Sequence, residues 1–286
     1  MIAVGDATPY SYIGDSHAGT IGSRIYEDPA TGERIVTRLV SIWRFVAADV
    51  LSEDGMIGDG LMQALRRSGA FQSSPTLPPL AGLRPVTTIY DRDLKTEYLG
   101  LTASANERPY VLSVGEINNR YVLQRLSEDG MDIALPFEAP GLERLPPYES
   151  RQTLRADQII ALLMDEYTPL FRGLRIFSET GLRSLYLHSV PPPTPDDSEA
   201  LRLYRHPSVA AVRYKLALLT NFIFARVCRD LQVGFIDTWK AVTEGNIVRP
   251  EFYLDGLHLN ERHSLASVRE VHRQFRDLRG ARGSEQ

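Results

Sequence analysis

The sequence predicts an α/β fold, with a mostly parallel sheet lying between two layers of helices. One observation is alternation. Short apolar, β-rich runs at Tyr10–Ile13, Tyr110–Val114, Leu182–Val190 and Val233–Asp237 alternate with longer segments of helical period. Strands that alternate with helices pair in parallel, with the helices covering both faces. Another is size. The chain has 286 residues and a hydrophobic fraction of 43%, which suits one α/β domain with insertions. The last is where the first run stops: Gly14–Asp15 breaks it abruptly and leaves Ser16 on a turn at the carboxyl end of a strand.

The remaining elements come in order along the chain. A helix is expected over 18–25, although Gly19 and Gly22 weaken it. A turn-rich loop (27–33) then leads into 34–50, whose alternating and continuous apolar residues read as strand, in part a hairpin with the loop. Gly58–Asp59–Gly60 introduces a short helix through Leu61 and Leu65. Residues 73–79 are a polar, proline-rich loop, and 85–90 an added strand. The strand 110–114 runs into a polar turn, Gly115 to Arg120, where Glu116 and Arg120 either pair or line a site. Residues 136–147 form a long proline-rich loop, of the kind that serves as a lid or binding segment. A helix is expected over 154–171, a strand over 182–190 stopped by Pro191–Pro193, and a long amphipathic helix over 209–230. The strand 233–237 and a closing helix over 262–279 complete the chain, read as a single domain, 1–286, with insertions around 27–98 and 121–150.

Composition excludes several function classes. The net charge of −4 carries no basic footprint for nucleic acid. The one cysteine, Cys228, rules out an intramolecular disulfide and lies on an apolar helix, where a buried, inert thiol is expected. No Cys/His cluster suggests a metal, no glycine-rich loop suggests a nucleotide, and no cofactor is expected. The N-terminus lacks a basic stretch followed by an apolar run, and no apolar run is long enough to span a bilayer, so a cytoplasmic protein without membrane partners is expected. Oligomeric state is not readable.

Chemistry concentrates at the two ends. A serine on a strand-terminal turn has the setting of a nucleophile elbow, and it needs a base that is itself oriented by an acid. Near the other end, Tyr253-Leu254-Asp255-Gly256-Leu257-His258-Leu259-Asn260 supplies both. The pair Gly14-Asp15-Ser16 and Asp255-Gly256-Leu257-His258, in this order, resembles the SGNH hydrolase superfamily, also called GDSL esterases. The resemblance implies strand order 2-1-3-4-5, a flavodoxin-like doubly wound sheet in a three-layer α/β/α sandwich, with its site at the carboxyl ends of the strands. It implies Ser16 as nucleophile, His258 as base and Asp255 as the residue holding the histidine. It also implies an oxyanion hole of the Ser16 N–H, a glycine N–H and an asparagine amide. Gly55, Gly58 and Gly60 lie in the glycine's region, and Gly58 is taken as the candidate. Family members carry Gly-x-Asn-Asp after the third strand; here the first asparagine falls three places after Gly115, making Asn118 the candidate donor and Asn119 the second.

Asp15 and His17 flank the nucleophile and join the candidate binding residues, Asp15 as the residue that secures the turn. Gly-Asp-Ser-His-Ala further resembles SGNH domains that act on acylated glycans. The expected activity is therefore hydrolysis of an O-acyl, for instance O-acetyl, ester of a small molecule or glycan through a Ser16 acyl-enzyme. An O-acyltransferase on the same residues, or a non-catalytic domain binding a glycan or partner, are the alternatives. His188 is expected to be a packed strand histidine, and His206 and His263 to be surface residues.

Overall fold

The structure, a computed structural model, describes residues 9–14, 16–28, 31–71, 83–87, 96–102, 104–255 and 258–283. Its centre is a six-stranded sheet built from β1 (Tyr10–Gly14), β2 (Ile25–Glu27), β3 (Arg34–Ser41), β4 (Tyr110–Ser113), β5 (Leu185–His188) and β6 (Gly234–Ile236). The spatial order is β6-β5-β4-β1-β3-β2. All pairings among β3, β1, β4, β5 and β6 are parallel, and β2 adds an antiparallel edge through the hairpin expected ahead of β3. Counting only the parallel strands, the order is 2-1-3-4-5, the doubly wound arrangement expected from the resemblance.

Strand periodicity of two assigns side chains to the two faces. Ile13, Leu112, Leu185 and Leu187 join one apolar cluster, whereas Tyr12, Val111 and Tyr186, their immediate neighbours in sequence, join the other. The larger cluster is covered by α2 (Asp59–Arg67), α3 (Glu116–Glu128), α4 (Ala156–Glu166), α5 (Thr168–Thr180) and α7 (Ala210–Leu231). The smaller is covered by α1 (Ser16–Ile21) and α9 (Glu261–Gly283), the latter through Val268, Val271 and Phe275. Two further short helices, α6 (Asp197–Tyr204) and α8 (Trp239–Val242), lie in the connections. Cys228 is buried in α7, and burial pushes its thiol up to about 12, as an inert structural thiol requires.

Several expectations are corrected. The first helix begins at Ser16 and stops at Ile21, because Gly22 turns the chain with φ +67°. The strand expected over 34–50 ends at Ser41; a turn and a 3-10 segment, Ala47–Val50, come after it. The helix expected over 154–171 is two helices, α4 and α5, parted at Tyr167, whose φ −98° and ψ 6° leave the helical range. The polar turn after Gly115 opens a full helix, α3. The long loop 136–147 contains a 3-10 turn, Leu142–Arg144, and is tied to the turn at 245–246, where Asn246 Nδ2 donates to Pro140 O over 2.9 Å. The loop at 73–79 lies outside the described residues, as do residues 88–90 of the strand expected over 85–90; residues 85–87 belong to the strand Leu83–Thr87, which starts two residues earlier than expected and pairs with Thr96–Gly100. No helix among the described residues is long and apolar enough to cross a membrane.

Candidate active site

Ser16 is presented by a close approach of backbones. Gly14 ends β1, and a Cβ placed there would stand 2.3 Å from the carbonyl oxygen of Ser113 at the end of β4. Glycine alone lets the two strand ends converge, and Ser16 starts α1 two residues later, exposed at the carboxyl edge of the sheet. Asp15 lies outside the described residues, as do Gly256 and Leu257. Beside Ser16 runs a cleft of about 530 Å³, lined among others by Trp43, Arg44, Ile117, Arg120 and Tyr121.

Asp255 and His258 meet across a tight turn. Both carboxylate oxygens face the imidazole, with His258 Nδ1 3.1 Å from Oδ1 and 3.0 Å from Oδ2. The backbone N–H of His258 donates to Oδ1 over 2.7 Å. A carboxylate accepts only, so Nδ1 carries the proton and Nε2 presents its lone pair. Asn260 locks this turn to α9. Its amide nitrogen donates to the carbonyls of Glu251 and Tyr253, and its side-chain oxygen accepts from the Arg262 N–H at the start of that helix. Asn260 therefore caps the helix and fixes the histidine loop at once. An asparagine directly before a helical run was the readable signal for it.

The ring of His258 packs against the ring of the buried His17, with centroids 5.2 Å apart and planes inclined by 43°. His17 is the residue after Ser16, so α1 and the histidine loop meet beside the serine. His258 Nε2 is buried and has no hydrogen-bond partner among the described residues. Ser16 Oγ and Nε2 are therefore not hydrogen-bonded in this structure.

A layer of further histidines lies behind this pair. His188 donates from Nδ1 to the Ser189 carbonyl (2.7 Å), and its Nε2 accepts from Ser267 of α9 (2.9 Å). Burial holds His188 neutral, moving it from its ordinary 6.5 down to about 4, with the nearby His17 adding to the effect. Its expected packed role fits this placement. The surface position expected for His263 is corrected: the residue is buried, bonded to Thr238 Oγ1 over 3.1 Å. Burial and the neighbouring His188 push it well below the usual histidine range. The reason is its place in the first turn of α9, on the side turned toward the sheet. Among the described residues no group of three or more His, Cys, Asp or Glu is arranged to hold a metal ion.

The structure engages the other candidates elsewhere. Asn118 is buried, its side-chain oxygen accepts from the Ala47 N–H (2.9 Å), and its amide nitrogen donates to Glu166 (2.8 Å). It fastens the 3-10 segment to α3 and α4 and is turned from the cleft. The reason is helical. Each residue of α3 rotates the side chain by about 100°, so the extra position after Gly115 puts Ile117, not Asn118, on the cleft wall. Asn119 points inward too, with Oδ1 2.8 Å from Tyr167 OH and 2.9 Å from Thr220 Oγ1.

Gly58 is likewise corrected, since its N–H donates to the Val50 carbonyl over 2.9 Å. The segment that lines the cleft with Ser16 at the carboxyl end of β3 is Ser41 to Arg44, which holds no glycine. Glu116 and Arg120 form a two-pronged ion pair, and Arg120 also lies over the Tyr204 ring, 5.1 Å from its centre.

No family model matches this sequence, and no curated protein matches it. Solved structures similar to the chain include a GDSL-like lipase from Bacteroides thetaiotaomicron VPI-5482, with 9% identity, TM-score 0.45, and 95% of this chain and 89% of that one covered. A phospholipase A1 from Streptomyces albidoflavus NA297 has 13% identity and TM-score 0.41, over 94% and 99% of the two chains. A lipase/acylhydrolase from Enterococcus faecalis has 14% identity and TM-score 0.39, over 93% and 94%. At these values the likeness carries no argument about this chain.

Proposed function

We propose that this protein is a serine ester hydrolase of the SGNH type, acting through Ser16, His258 and Asp255. The observation that carries the reading is the Asp255–His258 contact, which fixes the tautomer whose Nε2 can accept a proton, on a loop packed against the residue next to Ser16. In the reaction, Ser16 Oγ attacks the ester carbonyl while His258 Nε2 takes its proton. The tetrahedral intermediate collapses, the C–O bond to the alcohol breaks, and the imidazolium returns the proton to the leaving oxygen. Water then repeats the sequence on the acyl-enzyme and releases the acid. Asp255 steadies the imidazolium in both halves.

The contact between Ser16 Oγ and Nε2 must close to about 2.6–3.2 Å for the first transfer; such contacts are often long without substrate and tighten in the complex. The negative oxygen meets the Ser16 N–H at the start of α1. With Asn118 and Gly58 occupied elsewhere, the hole rests on backbone donors. One missing donor is worth on the order of 3 kcal/mol, so a slow chemical step is expected.

A second reading, a binding domain without turnover, is favoured by the same two observations: the occupied Asn118 and the unmade Ser16–His258 bond. Short-chain p-nitrophenyl esters and acetylated sugars separate the two. Hydrolysis that disappears in Ser16→Ala supports the esterase; ligand binding with no Ser16-dependent turnover supports the binding domain. Acceptor-dependent ester formation would instead mark an acyltransferase, which uses the same acyl-enzyme.

A further inference from the structure

We propose that Arg44 and Tyr121 form an anion-reading subsite beside Ser16, so that the substrate carries a carboxylate or phosphate on a ring-sized body. This deepens the esterase reading and rests on it. Four observations converge. Arg44 holds φ +54°, a left-handed conformation that costs a non-glycine residue energy and persists where the surroundings require it. Its guanidinium donates to Tyr121 OH over 3.4 Å, and no carboxylate among the described residues pairs with it. The other arginine of the cleft, Arg120, is by contrast neutralised by Glu116. No Asp or Glu is among the described residues that line the cleft, in a chain whose net charge is −4.

The fourth observation concerns the body of the ligand. Trp43 is 88% exposed and Tyr121 43%, and both line this cleft together with Arg44, the first as its neighbour in sequence and the second as its hydrogen-bond partner. An indole left in water at the mouth of a cleft offers a stacking face, and a guanidinium beside it supplies a planar fork matched to a carboxylate or phosphate. A neutral ring would use Trp43 alone and leave Arg44 without a task.

Trp43 also reports on the subsite, because Trp239 is 5% exposed and shielded from added solutes. Benzoate, phenyl phosphate and benzyl alcohol would be titrated against tryptophan fluorescence in the wild type, Arg44→Gln and Trp43→Phe, with circular dichroism to verify folding. The proposal expects at least one anion to bind ten times more tightly than benzyl alcohol, a preference lost in Arg44→Gln, and a signal lost in Trp43→Phe. Whichever anion binds better identifies carboxylate or phosphate as the group read. Equal binding of all three, no quenching by either anion, or a preference that survives Arg44→Gln would overturn it. This titration needs no turnover, so it fails or succeeds independently of the esterase reading. Ser16→Ala should leave the anion preference intact while removing any ester hydrolysis.

Discussion

Asn118 shows how much one inserted residue can move. With a single residue between Gly115 and the asparagine, the amide would face the cleft; with two, it is buried against the Ala47 N–H and Glu166. Asn118→Ala is therefore expected to act on stability. Removing the amide leaves a buried N–H and a carboxylate short of a partner, which costs about 1–3 kcal/mol. The free energy of unfolding should fall by that amount, while kcat of the folded variant stays within a few-fold of wild type. A kcat loss of a hundredfold at unchanged stability would return the residue to the oxyanion hole. Asp255→Asn makes the opposite case. It preserves shape but reverses the hydrogen bond to Nδ1, presenting the wrong tautomer to Ser16. Activity should drop by about a hundredfold or more with little change in the denaturation midpoint; equal loss of stability and activity would make Asp255 a structural cap alone.

At the scale of elements, two junctions hold the site. The first is the approach of β1 to β4 at Gly14. Gly14→Ala would drive a methyl group into the Ser113 carbonyl, and such overpacking costs about 1–3 kcal/mol. A thermal midpoint unchanged by this substitution would contradict the close approach. The second junction is α9 against the sheet, made through Ser267, His188, His263 and Thr238. His188 is neutral when folded, at about 4, and titrates near 6.5 when unfolded. Its folded value is depressed, so the stability it carries is complete above about 6.5 and is lost as pH falls toward 4. The gap corresponds to about 3 kcal/mol. Denaturant unfolding between pH 4 and 7 should show wild type losing about that much more than His188→Gln; parallel curves would refute the assignment.

Across the whole molecule, what could be read from the sequence and what could not divide along physical lines. The parallel strands β1, β4, β5 and β6 were legible because each is a short apolar run with glycine, proline or aspartate close to its ends, whereas the end of β3 at Ser41 runs on into Ile42-Trp43 with no such breaker and was read too long. Asp255 and His258 were legible because their contact is local, three residues apart. What distance in sequence conceals is packing between elements. Nothing at His263 itself announces that Thr238 and His188 enclose it, and nothing at Asn118 announces Glu166 or the Ala47 N–H. The cleft wall was missed for the same reason, since Arg44 and Tyr121 touch across a separation of 77 positions in the chain.

The central claim is that Ser16 is a nucleophile activated by His258, and covalent labelling tests it most directly. Wild-type protein treated with a fluorophosphonate should gain one adduct, mapped by mass spectrometry to the peptide holding Ser16. His258→Ala should abolish the adduct while keeping its fold by circular dichroism. Labelling of Ser16 that persists without His258, or no labelling of Ser16 in the wild type, would contradict the account.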